Sequence, residues 1–259
     1  MKFNGVLKVL ALPFKAYPPG NAPVKSPPNF KTFYGLDDVP ESLKEGIVRA
    51  YIEAYADPPW NESWEPEEVW NKMERELSQP FSCLTVMEGN QDGEVAGFCW
   101  GGLIWAKEFP RRVVEAYAFQ EDGVEELLKR KMEGVVKGPK VFVVDEIAIL
   151  RRFRGGTSPI QFLARPIVEL AVENGVLEGI SWTVWDAKIT PLVYYMGLST
   201  IVAEIGGLVF LYMPDVTFLC KLAQNLNGDH LKKIIAVADR TTKLFKRMKS
   251  YGRGSAGVG

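Results

Sequence analysis

The stretch from residue 140 to residue 175 constrains the fold of this 259-residue chain more than any other part. It begins with an almost unbroken apolar run, Val141 to Leu150, which is typical of a buried strand. A basic turn with two glycines follows at residues 151–158, and an amphipathic helix begins after it. A strand, a glycine turn and a helix in this order present backbone N–H groups and the positive end of a helix dipole to an anion. The sequence therefore predicts a phosphate-binding turn at this point.

The composition is that of an ordinary globular protein, with 47% hydrophobic and 24% charged residues. No apolar run approaches the ~20 residues that span a bilayer, and Lys8 interrupts the apolar N-terminus, so we expect a cytoplasmic protein. The three cysteines are odd in number and far apart, which favours core thiols over disulfides. His230 is the lone histidine, so we expect no metal site and no histidine triad.

The two ends of the chain differ in character from its middle. We expect an N-terminal extension at residues 1–28, a main domain at 29–215 with a helical insertion at 107–137, a basic helical segment at 216–250 and a disordered tail at 251–259. The basic segment has three interpretations: it packs on the domain with its lysines in water, it contacts a second copy or another protein, or it touches nucleic acid or an anionic membrane. Only the first needs no further assumption. We therefore expect no membrane or nucleic acid partner, and a homodimer stays open.

Apolar periodicity and turn residues predict the order of elements along the main domain. The predicted strands lie at residues 29–34, 81–88, 94–105, 141–150, 179–185, 200–205 and 208–213. Helices are predicted at residues 40–56, 65–78 and 190–196, and the charged stretch 107–136 is predicted to be helical with a break at Gly123. Asp37 and Asp38 offer N-caps for the first helix. The glycines at 97, 101 and 102 indicate a bulge or a close backbone approach.

Three short segments carry a resemblance to a known family: Ile147-Ala148-Ile149, Phe153-Arg154-Gly155, and the run Pro191 to Leu198. With the order of elements around them, they resemble the GCN5-related N-acetyltransferase (GNAT) superfamily over about Asn29 to Asp215. The resemblance implies an α/β (α+β) fold, in which a mixed central sheet is flanked by helices. It also implies acetyl-coenzyme A as the co-substrate.

The resemblance assigns the coenzyme to the end of the apolar strand and to the turn after it. The backbone groups of Ala148, Ile149 and Leu150 would pair with the pantetheine arm. The pyrophosphate would lie in the turn formed by Arg154, Gly155, Gly156, Thr157 and Ser158. The family pattern is Gln/Arg-x-x-Gly-x-Gly/Ala, and aligned on Arg154 this chain has Thr157 and Pro159 in place of both glycines. A second alignment, starting at Arg152, recovers the first glycine at Gly155.

Acetyl transfer to an amine needs a base, because a lysine-type amine has a pKa of ~10.4 and is charged at pH 7. Glu146 is the first candidate and Asp145, on the opposite face of the strand, is the alternate. A carboxylate that merely pairs with a nearby arginine is an equally good interpretation. The backbone N–H groups of residues 148–150 are candidates for holding the oxyanion.

In the family a tyrosine four residues before the motif glycine, here Gly197, protonates the departing thiolate. Val193 stands at that position, and a one-residue slip makes Tyr194 the acid, with Tyr195 as the other candidate. The acceptor pocket is predicted to use Trp60, Asn61, Glu62 and Trp100.

Taken together, these residues predict an acetyl-coenzyme A-dependent N-acetyltransferase that acts on a primary amine of a small molecule or peptide by direct attack. The alternative is a non-catalytic protein of the same fold that binds acyl-coenzyme A or a protein partner. The departures from the glycine pattern and the displaced tyrosine favour this alternative. The unbroken order of elements favours the enzyme.

Overall fold

The computed structural model describes residues 29–89, 91, 93–117, 123–153, 166, 169–184, 199–215 and 217. The strands are β1 (Phe30–Phe33), β2 (Ser82–Glu88), β3 (Val95–Trp105), β4 (Lys140–Ile149), β5 (Gly179–Val184), β6 (Thr200–Ile205) and β7 (Leu208–Met213). The helices are α1 (Glu41–Ala56), α2 (Pro66–Leu77), α3 (Phe109–Tyr117) and α4 (Val124–Glu133), with single 3₁₀ turns at Ala106–Glu108 and Arg151–Phe153. The N-terminal extension, the predicted helix at 190–196 and the basic C-terminal segment lie outside the described residues.

The seven strands form one sheet in the order β1-β2-β3-β4-β5-β7-β6. Adjacent strands run antiparallel in the pairs β1/β2, β2/β3, β5/β7 and β7/β6. Helices fall between β1 and β2 and between β3 and β4, where the sequence predicts them. The predicted fold class, α/β (α+β) with helices around a central sheet, is confirmed.

The described chain divides into two compact units, each with its own apolar core. The first unit comprises Met1–Leu103 and Val144–Gly175, and the second comprises Ile104–Val143 and Val176–Gly259. The predicted domain boundaries at residues 28 and 215 stay predictions.

In the first unit, α1 packs through apolar side chains spaced four residues apart, of which Leu43, Ile47, Tyr51 and Tyr55 are buried. The prediction that Asp37 and Asp38 cap this helix is wrong. Pro40 is the N-cap residue, and no side chain bonds to the first turn. The two aspartates lie upstream of the cap, whereas a capping side chain must come from the N-cap residue itself to reach the free N–H groups.

Helix α2 begins with a reciprocal pair of hydrogen bonds. The side chain of Glu65 accepts from the backbone N–H of Glu68, and the side chain of Glu68 accepts from the backbone N–H of Glu65 at 2.9 Å. Pro66 occupies the first turn, where its missing N–H removes no helical bond. The amphipathic sequence that follows therefore starts its helix at a defined residue.

Strands β3 and β4 approach each other closely at Gly97. The register of β2 and β3 shifts after Met87, leaving Ala96 as the extra residue of a bulge. A Cβ atom at Gly97 would lie 2.8 Å from the carbonyl oxygen of Ala148. The prediction of a bulge or close approach among these glycines is confirmed at position 97.

The second unit has a core in which α3 and α4 contribute apolar residues alongside β5, β6 and β7. Gly123 is the N-cap residue of α4 with a φ of +84°, which confirms the predicted break. The carboxylate of Glu178 accepts the backbone N–H groups of Lys137 and Gly138 and the hydroxyl of Tyr212. It thereby ties the loop before β4 to β7.

No helix within the described ranges is long and apolar enough to cross a membrane.

Candidate functional site

Glu146 lies on β4 in the first unit and is buried, with 7% of its surface exposed. Its Oε1 lies 3.0 Å from the Nζ of Lys72 and accepts the hydroxyl of Tyr51 at 3.3 Å. Its Oε2 accepts the hydroxyl of Tyr55. Both carboxylate oxygens therefore have donors, two of them from successive turns of α1 and one from α2. Asp145, the alternate base, is also buried.

Lys72 lies between two carboxylates. Its Nζ is also 3.0 Å from Oε1 of Glu76, one turn further along α2. The other oxygen of Glu76 accepts the indole N–H of Trp100, on β3, at 2.8 Å. A continuous chain of polar contacts therefore runs from β3 through α2 to β4. We call Glu146, Lys72, Glu76, Tyr51 and Tyr55 the Glu146 cluster.

Burial and the ion pairs act against each other on the pKa values of this cluster. Burial raises the pKa of Glu146, Lys72 lowers it and Glu76 raises it, and the net effect is a pKa above the usual range of a glutamate. For Lys72, burial lowers the pKa, but Glu146 and Glu76 together raise it by more than burial lowers it. The ammonium therefore stays protonated. Glu146 thus has a raised pKa beside a cation, and perturbed pKa values of this kind are common at functional sites.

Aromatic rings surround the cluster. Tyr51 stacks on Phe98 and Trp100, with centroids 5.8 Å apart in both pairs, and meets Trp64 edge-on at 5.4 Å. The rings exclude water from the ion pairs, which strengthens their electrostatic interaction.

The cation beside Glu146 is a lysine from α2, rather than the nearby arginine that the sequence suggested. Lys72 and Glu76 were not predicted as site residues. They do carry a signal, because both fall within the apolar positions Val69, Met73 and Leu77 of the helix, where a solvated side chain is not expected. Which carboxylate they face depends on packing between elements.

The predicted acceptor residues lie on two elements of the first unit. Trp60 is half-buried and its ring lies 5.4 Å from that of Tyr55. Glu62 accepts the indole N–H of Trp64 at 2.8 Å, while Asn61 is exposed with a φ of +52°. Trp100 is fully buried. Trp60 therefore connects the predicted acceptor loop to the Glu146 cluster, and the role of all four residues stays a prediction.

The end of β4 offers fewer free donors than the resemblance implies. The backbone N–H of Leu150 donates to the carbonyl of Ala96 at 2.9 Å, so it is already bonded across the bulge. Ala148 is half-buried and Ile149 is buried. Pairing of Ala148 and Ile149 with a pantetheine arm stays a prediction.

Arg152 separates the two possible alignments of the glycine turn. Its guanidinium pairs with Glu53 on α1 and lies 3.6 Å from Glu94, in the turn before β3. Both acidic partners oppose binding of a diphosphate at this arginine. Which of the two alignments the turn follows stays a prediction. Residues 154–158 lie outside the described residues, as do Tyr194 and Tyr195.

No group of three or more His, Cys, Asp or Glu side chains in the described part of the chain is placed to hold a metal ion. Cys83 and Cys99 are buried, and burial raises the pKa of the Cys83 thiol to about 12. Such thiols are inert as nucleophiles at neutral pH.

No family model matches the chain, and no curated protein matches it in sequence. Similar solved structures do exist. Drosophila melanogaster polyamine N-acetyltransferase is 11% identical, with 71% of this chain and 99% of that chain covered and a TM-score of 0.47. A mosquito arylalkylamine N-acetyltransferase-like protein is 13% identical over 71% and 99% of the two chains, with a TM-score of 0.46. PaiA N-acetyltransferase from Thermoplasma acidophilum, in complex with coenzyme A, is 12% identical over 71% and 98%, with a TM-score of 0.43. Likenesses at this level do not establish a function for this chain.

Proposed function

We propose that this protein is an acetyl-coenzyme A-dependent N-acetyltransferase that acts on a primary amine of a small molecule or peptide. One observation carries the proposal. A buried carboxylate with a raised pKa, Glu146, lies on the strand that leads into the basic glycine turn. A base and an anion site in consecutive segments are what transfer from a coenzyme A thioester requires.

The proposed reaction is a direct attack. Glu146 takes a proton from the acceptor ammonium, directly or through a water, so that an O–H bond forms as an N–H bond breaks. The freed electron pair of the nitrogen attacks the thioester carbonyl, and the resulting oxyanion is held by a backbone N–H group at 148 or 149. The C–S bond then breaks and the thiolate takes a proton from Tyr194. The nitrogen of the new amide loses its second proton, which returns to the tyrosinate directly or through water, so that Tyr194 is restored.

The non-catalytic alternative also has an observation in its favour. Glu146 already accepts three donors, and the N–H of Leu150 already has a carbonyl partner. Groups that are already bonded in this way are not available to a substrate. This is expected of a protein that binds acyl-coenzyme A or another protein without catalysis.

Calorimetric titration with acetyl-coenzyme A tests the binding step, and two arginine variants make the test specific. We expect the wild-type protein to release heat on binding. Arg154→Ala should bind at least about tenfold more weakly, because a charged hydrogen bond to phosphate contributes about 1.5–3 kcal/mol. Arg152→Ala should bind nearly as tightly as wild type. If Arg152→Ala lost binding and Arg154→Ala kept it, the alignment that starts at Arg152 would be the correct one. Absence of heat with wild type would remove the enzyme proposal.

Turnover separates the enzyme from the binding protein. Release of free thiol from acetyl-coenzyme A is followed with polyamines, aminoglycosides, amino acids and peptides as acceptors. Binding without thiol release for any acceptor would support the non-catalytic alternative.

A further inference from the structure

Inside the first unit, Lys72 lies in contact with two other ionisable side chains. Glu146 and Glu76 each lie 3.0 Å from its ammonium, and Lys72 has only 8% of its surface exposed. Two carboxylates and one ammonium leave one negative charge in excess. Arg75, which is largely exposed, lies 3.4 Å from Glu76. The ionisation of Glu146 therefore depends on a cation that it shares with Glu76.

A carboxylate as deeply buried as Glu146 would be protonated without a partner, because burial penalises the charged form strongly. Lys72 opposes this penalty at Oε1, and the hydroxyl of Tyr55 opposes it at Oε2. The same contacts fix the direction of the carboxylate, since Oε1 is held by both α1 and α2, through Tyr51 and Lys72, and Oε2 is held by α1, through Tyr55. Removal of Lys72 would therefore raise the pKa of Glu146 further and favour its protonated form.

We propose that Lys72 is a positioning residue for acyl transfer, and that it keeps Glu146 ionised and oriented so that Glu146 can take the proton of the acceptor amine. Tyr55 supports it by binding the second oxygen. This inference rests on the proposed function. In the proton transfer, the N–H bond of the ammonium breaks and an O–H bond forms on Glu146, while Lys72 keeps its own protons throughout.

Stability alone does not account for the arrangement. A buried ion pair contributes little net stability compared with apolar side chains of the same size, since the charges lose their hydration. The positions around it on α2, Val69, Met73 and Leu77, are apolar and fully buried. A leucine or methionine at position 72 would extend that face, whereas a lysine there sets the charge of Glu146.

Among the residues that the structure describes, the groups that face Glu146 come from three elements besides its own strand. Helix α1 contributes the hydroxyls of Tyr51 and Tyr55, and α2 contributes Lys72, with Glu76 behind it. Strand β3 contributes Cys99, whose pKa burial raises well above its usual range, so that this thiol is neutral. Asp145 precedes Glu146 on β4. Lys72 is the cation among these described groups, so its removal has a predictable sign.

The test replaces Lys72 by methionine, which keeps the length of the chain and removes the charge. We expect Lys72→Met to show the infrared band of a protonated carboxylic acid at neutral pH, and this band should be absent from the Lys72→Met, Glu146→Gln double variant. The acid limb of the pH profile of kcat should move up by ~1–3 pH units, because a close opposite charge shifts a carboxylate pKa by that amount. At neutral pH kcat should fall at least about tenfold, as expected when a general base is lost in part.

Two further variants complete the test, one as a control and one as a second probe of Glu146. Lys44→Met removes another lysine of the first unit that is mostly buried and pairs with a glutamate, Glu41, at 3.4 Å. It should change neither the band nor the pH profile. Tyr55→Phe should move the acid limb in the same direction as Lys72→Met by a smaller amount, and it keeps the test valid if Lys72→Met does not fold.

An unchanged acid limb in Lys72→Met, with no new band, would show that Lys72 has a structural role only and would overturn the inference. If wild-type protein bound acetyl-coenzyme A but acetylated no amine, the proposed function would fail and the catalytic role of Lys72 with it. The infrared result would still show separately whether Lys72 sets the ionisation of Glu146.

Discussion

At position 97 the chain has room for a hydrogen atom but not for a side chain. Gly97→Ala would place a Cβ 2.8 Å from the carbonyl oxygen of Ala148 and 3.3 Å from the Cα of Ile149, both of which belong to β4. Backbone atoms cannot move aside as a flexible side chain can. We expect this variant to lose ~1–3 kcal/mol of stability, the range typical of overpacking, measured by denaturant unfolding.

The matched control is Gly134→Ala, at the end of α4. Its φ is −76°, and the nearest atom to an added Cβ is the carbonyl oxygen of Lys131 at 3.5 Å, an ordinary contact. This change should be neutral or stabilising by about 0.4–1 kcal/mol, because alanine has fewer unfolded conformations. Equal losses in both variants would mean that the approach of β3 to β4 is not what requires a glycine at 97.

At the scale of elements, Glu178 joins the loop before β4 to β7. Burial raises its pKa, but the hydroxyl of Tyr212 and the N–H groups of Lys137 and Gly138 lower it more, so the folded protein holds this carboxylate below its usual range. A depressed pKa contributes stability above the unfolded pKa of ~4.3, and that contribution is lost as the pH falls through the folded value.

Wild-type protein should therefore lose more stability than Glu178→Gln when the pH is lowered from about 5 to about 3. Thermal unfolding across this range measures the difference. Glu133→Gln, which alters an exposed carboxylate at the end of α4, is the control and should follow wild type. A Glu178→Gln variant with the same acid sensitivity as wild type would show that the three donors do not stabilise the charged form.

For the whole molecule, the sheet order predicts a gradient of local stability. In the described sheet β1 and β6 lie at the edges and are largely exposed or half-buried, while β2 and β7 are almost entirely buried and paired on both sides. Amides exchange by local opening more readily where fewer contacts hold them. Hydrogen exchange should be slowest in β2 and β7 and faster in β1 and β6. Equal protection of β1 and β2 would contradict this.

Within the described residues, the sequence by itself determined which segments become strands and helices. Strands β6 and β7 begin and end at the predicted residues, and the break at Gly123 and the close approach at Gly97 were predicted as well. These features depend on local information: the period of apolar residues, the conformational freedom of glycine, and the restriction of φ in proline. The base candidate, Glu146, was also visible as an acidic residue within an apolar strand.

Tertiary structure alone decided which groups those residues meet. Lys72 and Glu76 are ordinary helix residues in the sequence, and only the packing of α2 near β4 makes Lys72 the partner of Glu146. The N–H of Leu150 was among the candidates for holding the oxyanion, and in the folded chain it donates to the carbonyl of Ala96, at the bulge of β3. Side-chain pairing between elements depends on their relative placement, which periodicity within one element does not encode. The charge of Glu146, and with it the proposed chemistry, is therefore a property of the folded chain.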